Sequence, residues 1–216
     1  MTIFALSSGS GIAGIAIIRI SGPLAVSIVK NITGKEMPKP RVATLRKINN
    51  INTSELIDEG IILWFPGPQS YTGEDMAEIH VHGGKSVIQE VINSISCIKD
   101  CRLAEPGEFT KLAFQNGKIN LLKAESIGDL ISAETEIQRS QAIKIMKGNS
   151  ANKFNQLREK LLKILSFVEA KIDFPDEDLP KENIKKIKKE SNEVFIEVKK
   201  ILDDQKVGEI IREGFK

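Results

Sequence analysis

Between Tyr71 and Lys85 the sequence reads YTGEDMAEIHVHGGK, which places three acidic residues, two histidines and three glycines within fifteen positions. Three chemistries suit these residue types: a phosphate cradle in Gly83-Gly84-Lys85-Ser86, metal ligation by His80 and His82, and a carboxylate, Glu78, set to receive a polar ligand. The phosphate loop fails its own spacing, because a glycine is required five positions before the second one and Ile79 stands there. His80-x-His82 and Cys97-x3-Cys101 match none of the common zinc spacings. Histidines making backbone bonds, and no metal site, are the expectation. No Ser/His/Asp set or carboxylate pair is legible either, so no catalytic residue is assigned. Gly9, Gly11 and Gly14 match G-x-G-x-x-G, but they open onto IAIIRI, a β-branched run; the dinucleotide fingerprint needs a helix there.

The remaining chemistry rests on three residues. Met76, Glu78 and His80 alternate with Ala77, Ile79 and Val81, so a strand would carry Glu78 and His80 on one face and apolar side chains on the other. Arg19, between Ile18 and Ile20, is turned by the same period to the face away from them. Lys118 follows a helix-breaking Asn116-Gly117. Each taken singly also reads as a solvated surface charge. Taken together they suggest a pocket: a buried carboxylate is costly unless matched by donors. An amidine-like pair of N–H groups would match it in the bidentate way a guanidinium does, and two cations would suit a ligand with a carboxylate tail.

These side chains need elements to position them. Alternation and turn residues predict strands at Thr2 to Leu6, Ile15 to Ile20, Val42 to Ile48, Gly60 to Phe65 and Met76 to Val81. Helical spacing predicts short helices over Leu24 to Ile32, Lys85 to Ile95 and Phe109 to Phe114, the last preceded by a turn at Leu103 to Glu108. From Leu121 the pattern becomes one continuous helix to Met146, with a kink at Gly148 to Ser150. It resumes from Leu157 to Ile172 and stops at Phe174-Pro175. After an acidic connector (FPDEDLP), a third helix spans about Lys181 to Asp204. The fold class is therefore α+β: a mixed domain over 1–118 and long helices of an incomplete helical domain over 119–216. Stripes this narrow must pack on one another or on another chain, and those on Leu157 to Ile172 and Ile184 to Ile201 are expected to be partly exposed.

The chain of 216 residues carries 12 basic against 11 acidic side chains up to Lys118 and 19 against 18 beyond it. No electrostatic nucleic-acid footprint is visible in that balance. There is no signal-like N-terminus and no apolar run of membrane-spanning length. With only two cysteines, a cytoplasmic protein with reduced thiols is expected.

The segments GIAIIRISGP, LWFPGPQSYTGEDMAEIHVHGG, RLAEPGEFTKLAFQNGKINLLKAESIGDLI and KIDFPDEDLP resemble, in order and spacing, the tRNA uridine-modification GTPase family called MnmE or TrmE. The likeness runs from Thr2 to Lys216. It implies an N-terminal folate-binding domain of glycine-cleavage T-protein type, then a helical domain into which a Ras-like GTPase domain is inserted; VGEIIREGFK resembles the approach to that domain. It implies further that Arg19, Glu78 and Lys118 stand at positions contacting a tetrahydrofolate, 5-formyl- or 5,10-methylene-substituted, with Glu78 on the pterin donors and the two cations on its polar and anionic parts. GTP, Mg and K would be bound only by the absent GTPase domain, so GTP hydrolysis is not expected of these residues alone. Implied partners are a second copy, paired through the N-terminal domain, an FAD-containing modification protein and tRNA, with no membrane. A structural dimerisation and docking module without folate binding is the alternative. Two departures stand out: GSGIAG replaces the family's usual PPGRGG at Gly9 to Gly14, and Leu112 stands where a basic residue is common.

Overall fold

The computed structural model describes residues 1–9, 11–173, 182–203, 207, 208 and 211. They form two compact units, Met1–Asn120 and Leu121–Lys216.

The first unit is built on strands β1 (Thr2–Leu6), β2 (Ala13–Ser21), β3 (Thr44–Asn49), β4 (Leu56–Phe65), β5 (Met76–Gly83) and β6 (Cys101–Leu103). They hydrogen-bond in the order β3-β4-β5-β2-β1-β6. Every pairing is antiparallel except that of β1 with β6. Helices α1 (Ala25–Thr33) and α2 (Lys85–Ser96) bury Ile28, Val29, Ile32, Val91 and Ile95 in one core with Phe4, Ile18, Ile20, Ile48, Ile62, Ala77, Ile79 and Val81 from the sheet. The β-branched residues that favour these strands thus also fill the helix-covered face. Alternation sends Arg19, Glu78 and His80 to the opposite face. Helix α3 (Glu108–Gln115) follows β6.

Two backbone details hold the N-terminal strand. Thr2 is buried; its N–H donates to the Asp100 carbonyl at 3.0 Å, and its Oγ1 accepts from the Leu24 N–H at 3.0 Å. Gly22 sits against it at φ 132°, where a Cβ would stand 2.7 Å from the Thr2 Cα. Only glycine takes that conformation and that approach without strain.

The second unit corrects the expectation of one continuous helix to Met146. It contains α4 (Leu121–Ser132), α5 (Glu136–Met146), α6 (Asn149–Asp173) and α7 (Glu182–Leu202). The break before α5 is a capping box. Thr135 Oγ1 accepts from the Gln138 N–H at 3.3 Å, and Gln138 Oε1 accepts from the Thr135 N–H at 3.0 Å. This pair satisfies donors that a continuing helix would have used. Gly148, at φ 89°, separates α5 from α6 where a kink was expected. Helices α6 and α7 share Leu157, Ile164 and Val194, with Ile187 and Ile201 packed beside them. Leu161, Leu165, Ile172 and Ile184 are exposed. An apolar cavity of about 390 Å³ opens between Phe154, Leu157, Leu161, Leu162, Leu165 and Val198. The expected stop at Phe174-Pro175 and the acidic connector lie outside the described residues, as does most of Val207 to Lys216.

Strand β6 was not anticipated; three residues carry too little alternation to announce a strand. Strand β4 starts at Leu56, four residues before the expected run, and β5 continues through His82 to Gly83.

Candidate functional site

The antiparallel register of β2 and β5 sets Arg19 opposite Glu78, Ile17 opposite His80 and Ser21 opposite Met76. From these positions the side chains converge. Arg19 Nε and Nη2 both donate to Glu78 Oε1, at 3.0 and 2.8 Å, and His80 Nε2 lies 3.2 Å from Glu78 Oε2. The side chains keep 28% of their surface at Arg19, 13% at Glu78 and 21% at His80, so the carboxylate is the most shielded of the three.

Two aromatic rings flank the guanidinium. Its Cζ is 5.7 Å from the centroid of Tyr71 and 5.6 Å from that of Phe109, both within range of a cation–π attraction. Tyr71 belongs to the loop between β4 and β5, and Phe109 to the first turn of α3. The Tyr71 hydroxyl and Thr110 Oγ1, 2.8 Å apart, tie loop to helix.

The loop is held at several further points. Ser21 Oγ lies 2.8 Å from Thr72 Oγ1 and donates to Glu74 Oε2 at 3.0 Å; Asn116 Nδ2 donates to the Thr72 carbonyl at 2.8 Å. Lys118 Nζ donates to the Pro68 carbonyl at 2.8 Å. Of the three site residues expected from the sequence, then, Arg19 and Glu78 are brought into contact, while Lys118 bonds the loop that carries Tyr71.

Helix α3 is anchored by charge. Arg102 on β6 forks onto Glu108, through Nη1 to Oε2 at 2.8 Å and through Nη2 to Oε1, and Glu108 Oε2 also accepts from the Glu105 N–H. The Arg102 hydrogen bond is the main reason the Glu108 carboxyl lies below its usual range. A carboxylate in the first turn of a helix is favoured by the helix dipole as well. The residue after this anchor is Phe109, so the fork helps to place its ring.

The histidines bond carboxylates, where backbone bonds were expected. His82 turns its ring to Asp58: Nδ1 lies 2.8 and 3.0 Å from the two carboxylate oxygens, and its backbone N–H donates to Oδ2 at 2.8 Å. Burial pushes the Asp58 carboxyl up, but the His82 and Glu59 hydrogen bonds outweigh it and hold it below its ordinary value.

The order of these elements and the composition of the cluster can be set beside known proteins. The model for the N-terminus of the GTP-binding protein TrmE matches residues 2–118, and that for the MnmE helical domain matches residues 121–216. The chain belongs to the MnmE/TrmE family. It is 76% identical over 216 residues to the tRNA modification GTPase MnmE of Pelagibacter ubique (strain HTCC1062), covering all of this chain and 49% of that protein. It is 45% identical over 215 residues to the protein of the same name from Rickettsia akari (strain Hartford), covering 100% of this chain and 48% of the relative. With its counterpart in Parvibaculum lavamentivorans it shares 41% over 213 residues, 99% of this chain and 49% of the relative. The chain spans about half the length of these curated relatives. The family's N-terminal and helical segments are thus both represented, in an α+β chain, and among the described residues no helix is long and apolar enough to cross a membrane.

Sequence reasoning missed Tyr71, Phe109 and Thr110 as parts of the site. The signal was present in part, since Tyr71 is the chain's single tyrosine and begins the chemically dense stretch. Nothing in the spacing, however, says that a loop and a later helix close on one arginine.

Proposed function

We propose that the first unit binds a tetrahydrofolate derivative, 5-formyl- or 5,10-methylene-substituted, and serves as the folate-binding and homodimerising region of a tRNA-modification GTPase. The observation that carries this reading is the shielded Glu78 carboxylate paired with Arg19, whose guanidinium lies near two aromatic rings held by a tethered loop and an anchored helix. A pterin edge presents paired N–H donors in one plane, matching a carboxylate in the way a guanidinium does. Its flat ring suits the Tyr71 and Phe109 faces, so the residues present fit the group. Glu78 would hold the donors, while Arg19 and Lys118 would serve the polar and anionic parts. The folate when bound supplies a one-carbon unit; this chain's residues bind and orient it.

The face bearing the cluster also supports pairing with a second copy. Leu45 stands opposite Ile61, and Ile61 opposite His80. With Ile15 these residues leave exposed apolar surface beside the cluster, as an interface core requires. In the complete family member we assign GTP, Mg and K to a segment other than these 216 residues. An FAD-containing protein and tRNA are the proposed partners, and the cytoplasm the proposed compartment.

Calorimetry with 5-formyltetrahydrofolate is expected to show binding by the chain and its loss in Glu78→Ala. Equal affinity in the two would overturn the assignment. A second reading, a structural dimerisation module without folate binding, is favoured by the departure at Gly9 to Gly14. A dimer by light scattering with no folate uptake would select it.

A further inference from the structure

The Arg19–Glu78 pair sets a condition on any ligand of this site. A carboxylate oxygen offers two lone pairs. Both on Glu78 Oε1 are taken by Arg19, through Nε at 3.0 Å and Nη2 at 2.8 Å, and one on Oε2 faces His80 Nε2 at 3.2 Å. A planar edge with two parallel N–H donors needs one free position on each oxygen. It finds one on Oε2 and none on Oε1. The same guanidinium lies 5.7 and 5.6 Å from the centroids of Tyr71 and Phe109, the two faces that would hold a flat heterocycle.

We propose that Arg19 is an internal competitor for the ligand: its guanidinium fills the seat on Glu78 beside the two rings, and a ligand binds by displacing it. The proposal rests on the folate reading above and deepens it. The seat outlasts the displacement, because Tyr71 is tied to Thr110 and its loop to Ser21 and Asn116, none of which depends on Arg19. The displaced side chain has a way out, being the most exposed of the three.

Arg19 thereby acts as a specificity filter. A ligand that brings an anionic tail along with its N–H edge re-pairs the released guanidinium. A bare pterin has no anionic tail with which to do so. The apparent affinity of a site that is open for only a fraction of the time falls by that fraction. Occupancy of the seat by Arg19 for nine-tenths of the time corresponds to a loss of about tenfold.

The test measures the affinity of bare pterin and of 5-formyltetrahydrofolate, by calorimetry, for the 216-residue chain and for Arg19→Met, Arg19→Lys and Glu78→Gln. Removing the competitor is expected to tighten pterin binding about tenfold in Arg19→Met, with a smaller gain for the formyl folate. Arg19→Lys keeps the charge but cannot fork onto one oxygen or offer the rings a planar cation. It is expected to fall between wild type and Arg19→Met, and it carries the test if the methionine variant fails to fold. Glu78→Gln is expected to bind neither compound. Equal or weaker pterin binding in both Arg19 variants, with wild-type folate binding intact, would overturn the competitor and leave the folate reading standing. No binding of either compound by wild type or by the Arg19 variants would overturn the folate reading and the competitor with it. Pterin binding in Arg19→Met alone would support both.

Discussion

Removing either end of the Arg19–Glu78 pair tests whether the cluster is an energetic unit. At about 4 Å, opposite unit charges attract by about 4 kcal/mol at an effective dielectric of about 20. Two corrections reduce that figure. Both side chains retain contact with water, 28% and 13% of their surface, and desolvation offsets part of the Coulomb term. A coupling of about 2 kcal/mol remains, in line with charge-assisted hydrogen bonds in general. The single substitutions should be unequal. Glu78→Gln strands the guanidinium beside two rings, whereas Arg19→Met leaves Glu78 with His80 and keeps an unbranched side chain near Tyr71 and Phe109. The assay is urea unfolding of wild type, Arg19→Met, Glu78→Gln and the double variant, followed by the fluorescence of Trp64. That residue is the chain's single tryptophan and lies on β4 opposite Ala77 of β5, so the signal reports the sheet unit alone. Repeating the cycle in 1 M salt should reduce the coupling less than it would for a fully exposed pair. Additivity within about 0.5 kcal/mol would refute the reasoning and mark the pair as a contact without energetic content.

Three further outcomes follow from the geometry. Tyr71→Phe and Thr110→Ala should each cost about 1 kcal/mol, and the double variant no more than either alone, because both remove one hydrogen bond; summed losses in urea unfolding would count against the tie. Gly22→Ala should destabilise the sheet unit by more than about 2 kcal/mol, since its Cβ would press on the Thr2 backbone; a Trp64 transition at the wild-type urea concentration would contradict this. Asp58→Asn should lose stability at neutral pH and converge on wild type in acid. The Asp58 carboxyl is depressed in the fold, so its contribution is present above the unfolded carboxylate value of about 3.9 and is lost as pH falls through the lower folded value. A difference between the two proteins that did not shrink below that value would refute the assignment.

Much of this arrangement could be read from residue order. The β-branched runs and their alternation announced β2 and β5 and the face on which Arg19, Glu78 and His80 lie, because a strand's period is short and unambiguous. Pairing is a different kind of information. That Arg19 meets Glu78 depends on an antiparallel register between strands separated by β3, β4 and a helix, which no local pattern encodes. The helix break at Thr135 illustrates the opposite failure. Its capping box lies within four residues and was legible, but an apolar stripe running through it suggested continuity. Tyr71 and Phe109 join the site through tertiary packing, and the bond from Lys118 to the Pro68 carbonyl is likewise a tertiary contact that no local pattern encodes.

The placement of β1 has a consequence for how the unit is made. Its inner edge pairs with β2, available almost at once, but its outer edge pairs in parallel with β6, from Thr2 with Cys101 to Phe4 with Leu103. During synthesis that outer edge therefore waits for nearly all of the first unit to leave the ribosome. An unpaired, apolar strand edge is a template for pairing with other nascent chains. Helix α3 and the Phe109 ring follow β6 directly, so the ligand seat is among the last features of the unit to be completed. Closure of the sheet and assembly of the site are one late event, and a chain stalled before residue 103 would present a sticky edge and no seat.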